Sequence, residues 1–185
     1  MKADNLLNSN FVRWMAADEG PESDIVVSSR IRLARNLDLM PFSHLLDQED
    51  GMKCLQEIEK ARKKTDNKDL LKMELLTFNQ LTALERQMLM EKHLISPNHA
   101  ESNDSFRGVL ADSDGSLVIM INEEDHLRIQ CFLPGLQLEE CYRQAQQIDD
   151  DLEKNINFAF NDRIGYLTSC PTNVGTGMRA SVMLH

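Results

Sequence analysis

The sequence predicts an α+β fold, a largely antiparallel sheet flanked by helices. Three observations carry that expectation. Apolar residues recur at helical spacing over residues 47–64, 79–93 and 138–160. Two short apolar runs, 106–111 and 116–121, are joined by Asp112-Ser113-Asp114-Gly115, the residue types of a hairpin turn. Further strand-like runs at 24–33, 126–132, 165–170 and 179–185 leave the strands in groups, with helices inserted between them.

In chain order, the stretch around Phe11, Trp14 and Met15 reads as a short helix ended by Glu19-Gly20-Pro21, so residues 1–23 form a helical lead-in. Residues 24–185 form the main domain. Its first strand runs through Ser28-Ser29-Arg30-Ile31-Arg32-Leu33, and a period of two puts Arg30 and Arg32 on one face, Ile31 and Leu33 on the other. Met52, Leu55 and Ile58 mark the inner face of helix 47–64, whose last turn is basic. Residues 70–78 read as a strand. Helix 79–93 is expected to turn Leu81, Leu84, Met88 and Leu89 inward and to stop before Ser96-Pro97. After the hairpin, strand 126–132 is broken by Pro134-Gly135, and a helix carrying Ile148, Leu152 and Ile156 spans 138–160. A Gly-rich loop separates the last two strands.

Composition excludes several classes. The 185 residues are 42% hydrophobic and 27% charged, which is globular rather than disordered. Lys plus Arg number 20 against 30 Asp plus Glu, a net charge of −10, so binding nucleic acid through bulk positive charge is disfavoured. No apolar run reaches membrane-spanning length, and residues 1–10 lack the apolar stretch of a signal peptide. Cys54, Cys131, Cys141 and Cys170 have no metal-binding spacing and read as reduced thiols of a cytoplasmic protein.

Three segments carry chemistry. Arg30 and Arg32 present two permanently charged forks to one side, suited to phosphate oxygens or, equally, to surface acids along a solvated edge strand. In Asn122-Glu123-Glu124-Asp125-His126-Leu127-Arg128, alternation puts Glu124, His126 and Arg128 on one face. A proton acceptor beside a phosphate-binding Arg suits phosphoryl transfer, and an acidic turn capping a hairpin is the structural alternative. In Cys170-Pro171-Thr172-Asn173-Val174-Gly175-Thr176-Gly177-Met178-Arg179, glycines permit close backbone approach to a ligand, but the Lys-Ser/Thr ending of a P-loop is missing. Arg179, Ser181 and Met183 share a strand face against Ala180 and Val182. Cys170 suits either a reactive thiolate or a small buried residue, and His93 ends a helix where the dipole favours it. Arg30, Arg32, Arg128 and Arg179 with one acid and one Gly-rich loop could hold a nucleoside triphosphate without a P-loop lysine.

The segments Ser28–Asn36, Asn122–His126 and Cys170–Thr176 together resemble the motifs of the ATP:guanido phosphotransferases, the family of creatine and arginine kinases. Glu91–Pro97 and Gly165–Pro171 extend the likeness toward the bacterial branch that phosphorylates arginine side chains of proteins. The resemblance implies the catalytic-domain fold of that family and ATP with Mg²⁺ as phosphoryl donor. It implies ATP contacts from Ser28, Ser29, Arg30, Ile31, Arg32, His93, Arg128, Arg179, Ala180, Ser181, Val182 and Met183. Glu124 would orient the guanidino group and take its proton, and Cys170 would lie near it without attacking. Implied partners are proteins carrying Arg, an activator protein, Clp-type protease machinery and a second copy, in a cytoplasmic stress response, with no nucleic acid and no membrane. Only 27 residues precede Ser28, where metabolite kinases of the family have a helical domain enclosing a small substrate. Family members also continue beyond the position of His185 with another phosphate-binding Arg, a mobile Arg-Gly-x-x-Gly-Glu loop and, in the protein kinases, a regulatory domain. The expectation is therefore a catalytic domain shortened at its C-terminal end. A non-catalytic nucleotide-binding module and a kinase of free arginine are the rival expectations.

Overall fold

Local capping chemistry decides where most helices begin. The structure, a computed structural model, describes residues 6–7, 12–16 and 20–185. Helix α1 (Arg13–Ala16) carries Trp14 and Met15, while Phe11 of the expected lead-in helix lies outside the described residues. The long helix α2 (Gln48–Lys64) starts where the Asp47 carboxylate accepts the Asp50 N–H, and it ends on Arg62, Lys63 and Lys64, cations at the negative end of the helix dipole. A second cap overrides the expected strand at 70–78. The Asn67 side chain accepts from the N–H groups of Asp69 and Leu70, making a short helix α3 (Lys68–Lys72), so strand β2 covers only Glu74–Thr77. Helix α4 (Ala83–Glu91) begins after a Thr82/Glu85 capping box, four residues later than the spacing suggested. Leu81 and Leu89 are buried as expected, but Leu84 is 70% exposed; Leu81 precedes the helix, so its burial does not define the helix face on which Leu84 lies. Helix α5 (Pro97–Glu101), capped by Ser96, had no apolar periodicity to announce it.

The sheet adds β1 (Val26–Arg35), β3 (Gly108–Ala111), β4 (Leu117–Ile121), β5 (Leu127–Pro134) and β8 (Met178–Leu184). Its order is β2-β3-β4-β5-β1-β8, and every neighbouring pair is antiparallel. Helix α6 (Leu138–Glu153) is shorter than the expected 138–160, since the chain leaves it to pair Phe158 with Leu37 in an isolated bridge. The expected strand 165–170 reduces to β7 (Gly165–Tyr166), paired with β6 (Phe160–Asn161).

Two cores follow from strand alternation. Ile31, Leu33, Ile119, Ile129 and Cys131 pack on one sheet face against Leu55 and Ile58 of α2 and Ala145, Ile148 and Leu152 of α6. Val109, Val118, Met120 and Phe132 pack on the other against Trp14, Leu89, Leu94 and Ala100. This second core covers only part of its face and leaves open the part made by β1, the adjoining side of β5, and β8. That uncovered area positions the site.

His99 in the second core is fully buried, its Nε2 2.9 Å from the Gly108 carbonyl and its ring 4.5 Å from that of Phe78. Burial holds its pKa down at about 4. The folded state thus binds this proton less readily than the unfolded chain, and stability falls as pH drops from 6.5 toward 4. His99→Gln, which keeps a donor for Gly108, is expected to remove about 3 kcal/mol of that acid loss. Urea unfolding at pH 7 and pH 4.5 checks this.

Candidate functional site

Strand register brings the arginines together. In β1, Arg32 lies opposite Arg179 of β8 and Gln130 of β5, Ala34 opposite Arg128, and Arg30 opposite Ser181 and Phe132. Directly opposed residues share a face, so Arg30, Arg32, Arg128 and Arg179 project from the open part of the sheet with Ser28, Ser181 and Met183. Arg30 donates through Nε to the Ser181 hydroxyl at 3.3 Å. Arg32 and Arg179 have no hydrogen-bond or ion-pair partner among the described residues. Burial, then Arg179 and Arg128, pushes the pKa of Arg30 down. Burial, then Arg30, Arg128 and Arg179, lowers that of Arg32 to about 10. A chain of net charge −10 therefore holds a patch of crowded positive charge, which a polyanion would relieve.

The acid turn 122–126 sits at the end of this patch, between β4 and β5. Arg128 forks across it, with Nη1 2.9 Å from Glu123 and Nη2 2.9 Å from Glu124. The two acids differ in what else they do. Glu123 is buried and also accepts from the Ser96 hydroxyl at 2.6 Å and the Glu124 N–H at 2.8 Å. Burial would raise its pKa, but Arg128 and these donors outweigh that and hold it below the usual carboxylate range. The Glu124 side chain is 39% exposed, and Arg128 is its partner, so its remaining acceptor positions face outward. Glu123 is a structural anchor, and Glu124 is the carboxylate available to a ligand.

His126 departs from expectation. The strand begins only at Leu127, and the fully buried imidazole accepts the Leu37 N–H at Nδ1 and contacts the Pro41 carbonyl through Nε2 at 2.8 Å. It pins the segment after β1 and does not face the arginines.

Cys170 lies in a loop closed by Tyr166 and Gly175, which exchange backbone hydrogen bonds of 2.8 and 3.3 Å. Its Sγ is 3.0 Å from the Thr172 hydroxyl, and unlike Cys54, Cys131 and Cys141 it is not buried. Gly177, at φ +63°, brings the loop so close to β1 that a Cβ would lie 2.6 Å from the Ala34 carbonyl. The Asp125 carboxylate accepts the Ser169 N–H at 2.7 Å, so the neighbours of Glu124 and Cys170 in sequence are in direct contact.

At the other end of the arginine patch a cavity of about 190 Å³ is lined by Trp14, Ser28, Arg30, His93, Phe132, Ser181, Val182 and Met183. Trp14 stacks on Phe132 with centroids 5.3 Å apart, and the Arg30 guanidinium lies 5.6 Å from the Phe132 centroid. His93 follows the C-cap of α4 at φ +58°, which aims its ring toward Trp14. Trp14 and Phe132 were not legible as site residues, because lone aromatics in apolar stretches read as core.

Several expected contact residues face elsewhere. The Ser29 hydroxyl is fully buried on the opposite face, donating to the Gly135 carbonyl and accepting the Gln137 N–H at the start of α6. Ile31 points into the first core, and its strand is paired on both sides, so neither its side chain nor its backbone is free. Ala180 alternates away from the arginines on edge strand β8; Val182 does so too, yet reaches the cavity rim. Ser28, Arg30, Arg32, His93, Arg128, Arg179, Ser181 and Met183 remain together on the open face and its cavity.

A family model described as ATP:guanido phosphotransferase, C-terminal catalytic domain, matches residues 53–185. The chain belongs to this family. Among its relatives, the protein-arginine kinase of Syntrophomonas wolfei subsp. wolfei is 62% identical over 185 residues, all of this chain and 52% of the relative. That of Bacillus pumilus is 47% identical, covering 100% of this chain and 50% of the relative. The chain thus spans about half the length of the curated relatives it matches. The duplicated taurocyamine kinase from Schistosoma mansoni, solved with bound transition-state-analogue components, superposes with a TM-score of 0.80 at 26% identity, covering 100% of this chain and 26% of that one. Lombricine kinase has the same fold, with a TM-score of 0.75 at 22% identity over 99% of this chain and 52% of the other. The matched residues 53–185 include the acid turn, the thiol loop and β8, while β1 with Arg30 and Arg32 precedes them. Among the described residues no helix is long and apolar enough to cross a membrane.

Proposed function

We propose that this chain forms the ATP-binding and proton-accepting part of a protein-arginine kinase, which moves the γ-phosphoryl group of ATP to a guanidino nitrogen of an arginine side chain. The observation that carries the reading is the convergence of four guanidiniums on one open face, with the exposed carboxylate of Glu124 at its end. Arg30, Arg32, Arg128 and Arg179 would hold the phosphates and offset the charge developing on the transferred group. The base would enter the cavity beside His93 and Trp14. Glu124 would align the guanidino group and accept its N–H proton as the nitrogen–phosphorus bond forms and the bond to the β-phosphate oxygen breaks. Cys170, held next to this point, would contact the guanidinium without forming a bond to it. Among the described residues no cluster of three or more His, Cys, Asp or Glu can hold a metal ion, so Mg²⁺ would arrive on the nucleotide phosphates, adding charge neutralisation there. The names of the relatives support proteins as acceptors.

Incubation with ATP, Mg²⁺ and an arginine-rich protein is expected to yield acid-labile phosphoarginine. Phosphate on hydroxyl side chains, or equal turnover of free L-arginine, would contradict the assignment. ATP binding without any phosphoarginine would reduce the chain to a nucleotide-binding module. Trp14 is the single tryptophan, so base docking is directly observable. Saturating ADP is expected to change its fluorescence by about 20% or more, since a stacked base alters the indole environment. Unchanged emission in the presence of calorimetrically bound ADP would place the base elsewhere.

A further inference from the structure

We propose that Asn36 is a positioning residue that locks the acid turn to the thiol loop and so sets Glu124 relative to Cys170. The proposal rests on the reading in which those two side chains face the guanidino group, but the geometry behind it is independent of any ligand. Asn36 follows the last residue of β1 and is 2% exposed. Its Nδ2 donates to the Asp125 carboxylate at 2.6 Å and to the Leu167 carbonyl at 3.0 Å. Its Oδ1 accepts the His126 N–H at 2.9 Å, and its backbone carbonyl accepts the Ala159 N–H at 2.8 Å. One side chain therefore ties residues 125 and 126 of the acid turn to residue 167 of the loop. The Asp125 oxygen that receives the Asn36 proton also receives the Ser169 N–H at 2.7 Å, which closes the link one residue from Glu124 and one from Cys170.

The chemistry of this node selects its residue type. The position requires two donors and one acceptor on a short planar group, which Asn supplies and Ser or Asp does not. Asp in its place would set a second carboxylate against Asp125 and leave the Leu167 carbonyl without its donor, a costly combination in a buried site. The ends of the loop are held separately by the preceding residue. Arg35 donates to the Thr176 carbonyl at 3.0 Å, lies 3.6 Å from the Tyr166 ring centroid, and is itself fixed by Asp149 at 2.6 Å. With the ends clamped by Arg35, what Asn36 controls is the middle of the loop, where Cys170 sits.

The test reads the loop without nucleotide or turnover. Iodoacetamide is added to the wild-type chain and to Asn36→Asp and Asn36→Ser, and alkylation of each cysteine is followed by mass spectrometry. Cys54, Cys131 and Cys141 are fully buried and report global opening, while Cys170 reports the loop. In both variants Cys170 is expected to react about 5- to 10-fold faster while the other three stay protected, the pattern of a local opening. Asp125→Asn keeps the accepting Oδ1 and is expected to leave the Cys170 rate within about 2-fold of wild type. Equal acceleration at all four cysteines, in either variant, would make Asn36 a residue of general stability and overturn the proposal. So would an unchanged Cys170 rate, or an Asp125→Asn rate as high as that of Asn36→Asp. Failure of the chain to bind ATP would sink the functional reading and leave this result standing.

Discussion

Glu124→Gln is expected to lower the rate of phosphoarginine formation by about 10²–10⁴-fold while leaving ATP affinity within about 3-fold of wild type. The amide keeps the shape and one acceptor of the carboxylate but cannot take the guanidino proton. Glu124 can be replaced cleanly because its side chain is 39% exposed and Arg128 is its partner, and Arg128 keeps Glu123. The contrast with its neighbour makes the prediction specific. Glu123→Gln weakens the ion pair to Arg128 in a buried setting, so it should lower melting temperature and ATP affinity together. Phosphoarginine assays on the two variants, with parallel calorimetric ATP titrations, separate these roles. Equal rate losses with equal binding losses would contradict the division between anchor and acceptor.

Arg32→Ala is expected to weaken ATP binding by about 10- to 100-fold, the loss of one charge-assisted contact to phosphate. The same change should stabilise the nucleotide-free chain. Arg32 has no partner among the described residues, and burial with Arg30, Arg128 and Arg179 lowers its pKa to about 10. The folded state therefore binds this proton less tightly than the unfolded chain. The charged group costs stability at neutral pH, and that cost fades only as pH rises past 10. The group is partly exposed, so solvent screening trims the effect, and a rise of about 2–4 °C in melting temperature is expected. Opposite signs for binding and stability are what a site crowded for its ligand predicts. A fall in both would mean that Arg32 belongs to the packing of the sheet.

How much of this was legible depends on the range of the interactions involved. Helix α2 and the β3–β4 hairpin were readable because a local cap, a helical stripe and a four-residue turn specify them. The pairing of β1 with β5 on one side and β8 on the other was not, since it joins residues about a hundred or more positions apart. Alternation nevertheless put Arg30 with Arg32, and Arg179 with Ser181, on common faces, and register did the rest. Alternation failed at His126, where the strand had not yet begun, and the side chain was taken by backbone groups of the 37–41 segment. At Ile31 alternation held, since it put that side chain opposite the arginines; Ser29 and Ile31 entered the expected contact set through the family resemblance, and both side chains lie on the face away from the arginines. Leu84 and residues 70–72 were misread because side-chain caps at Thr82 and Asn67 start helices at points that apolar spacing does not mark. Asn36 and Trp14 carried no local signal, since one acts through three distant segments and the other through a cavity that exists only when β8 is in place.

The central claim is that the open face of the sheet is a built site for the phosphates of ATP. A calorimetric titration of the chain with MgATP at about 50 mM and about 300 mM salt tests it most directly. Saturable binding at one site, weakened about 10-fold or more at the higher salt because several guanidiniums act on one polyanion, is the predicted result. No detectable binding, or an affinity indifferent to salt, would contradict it.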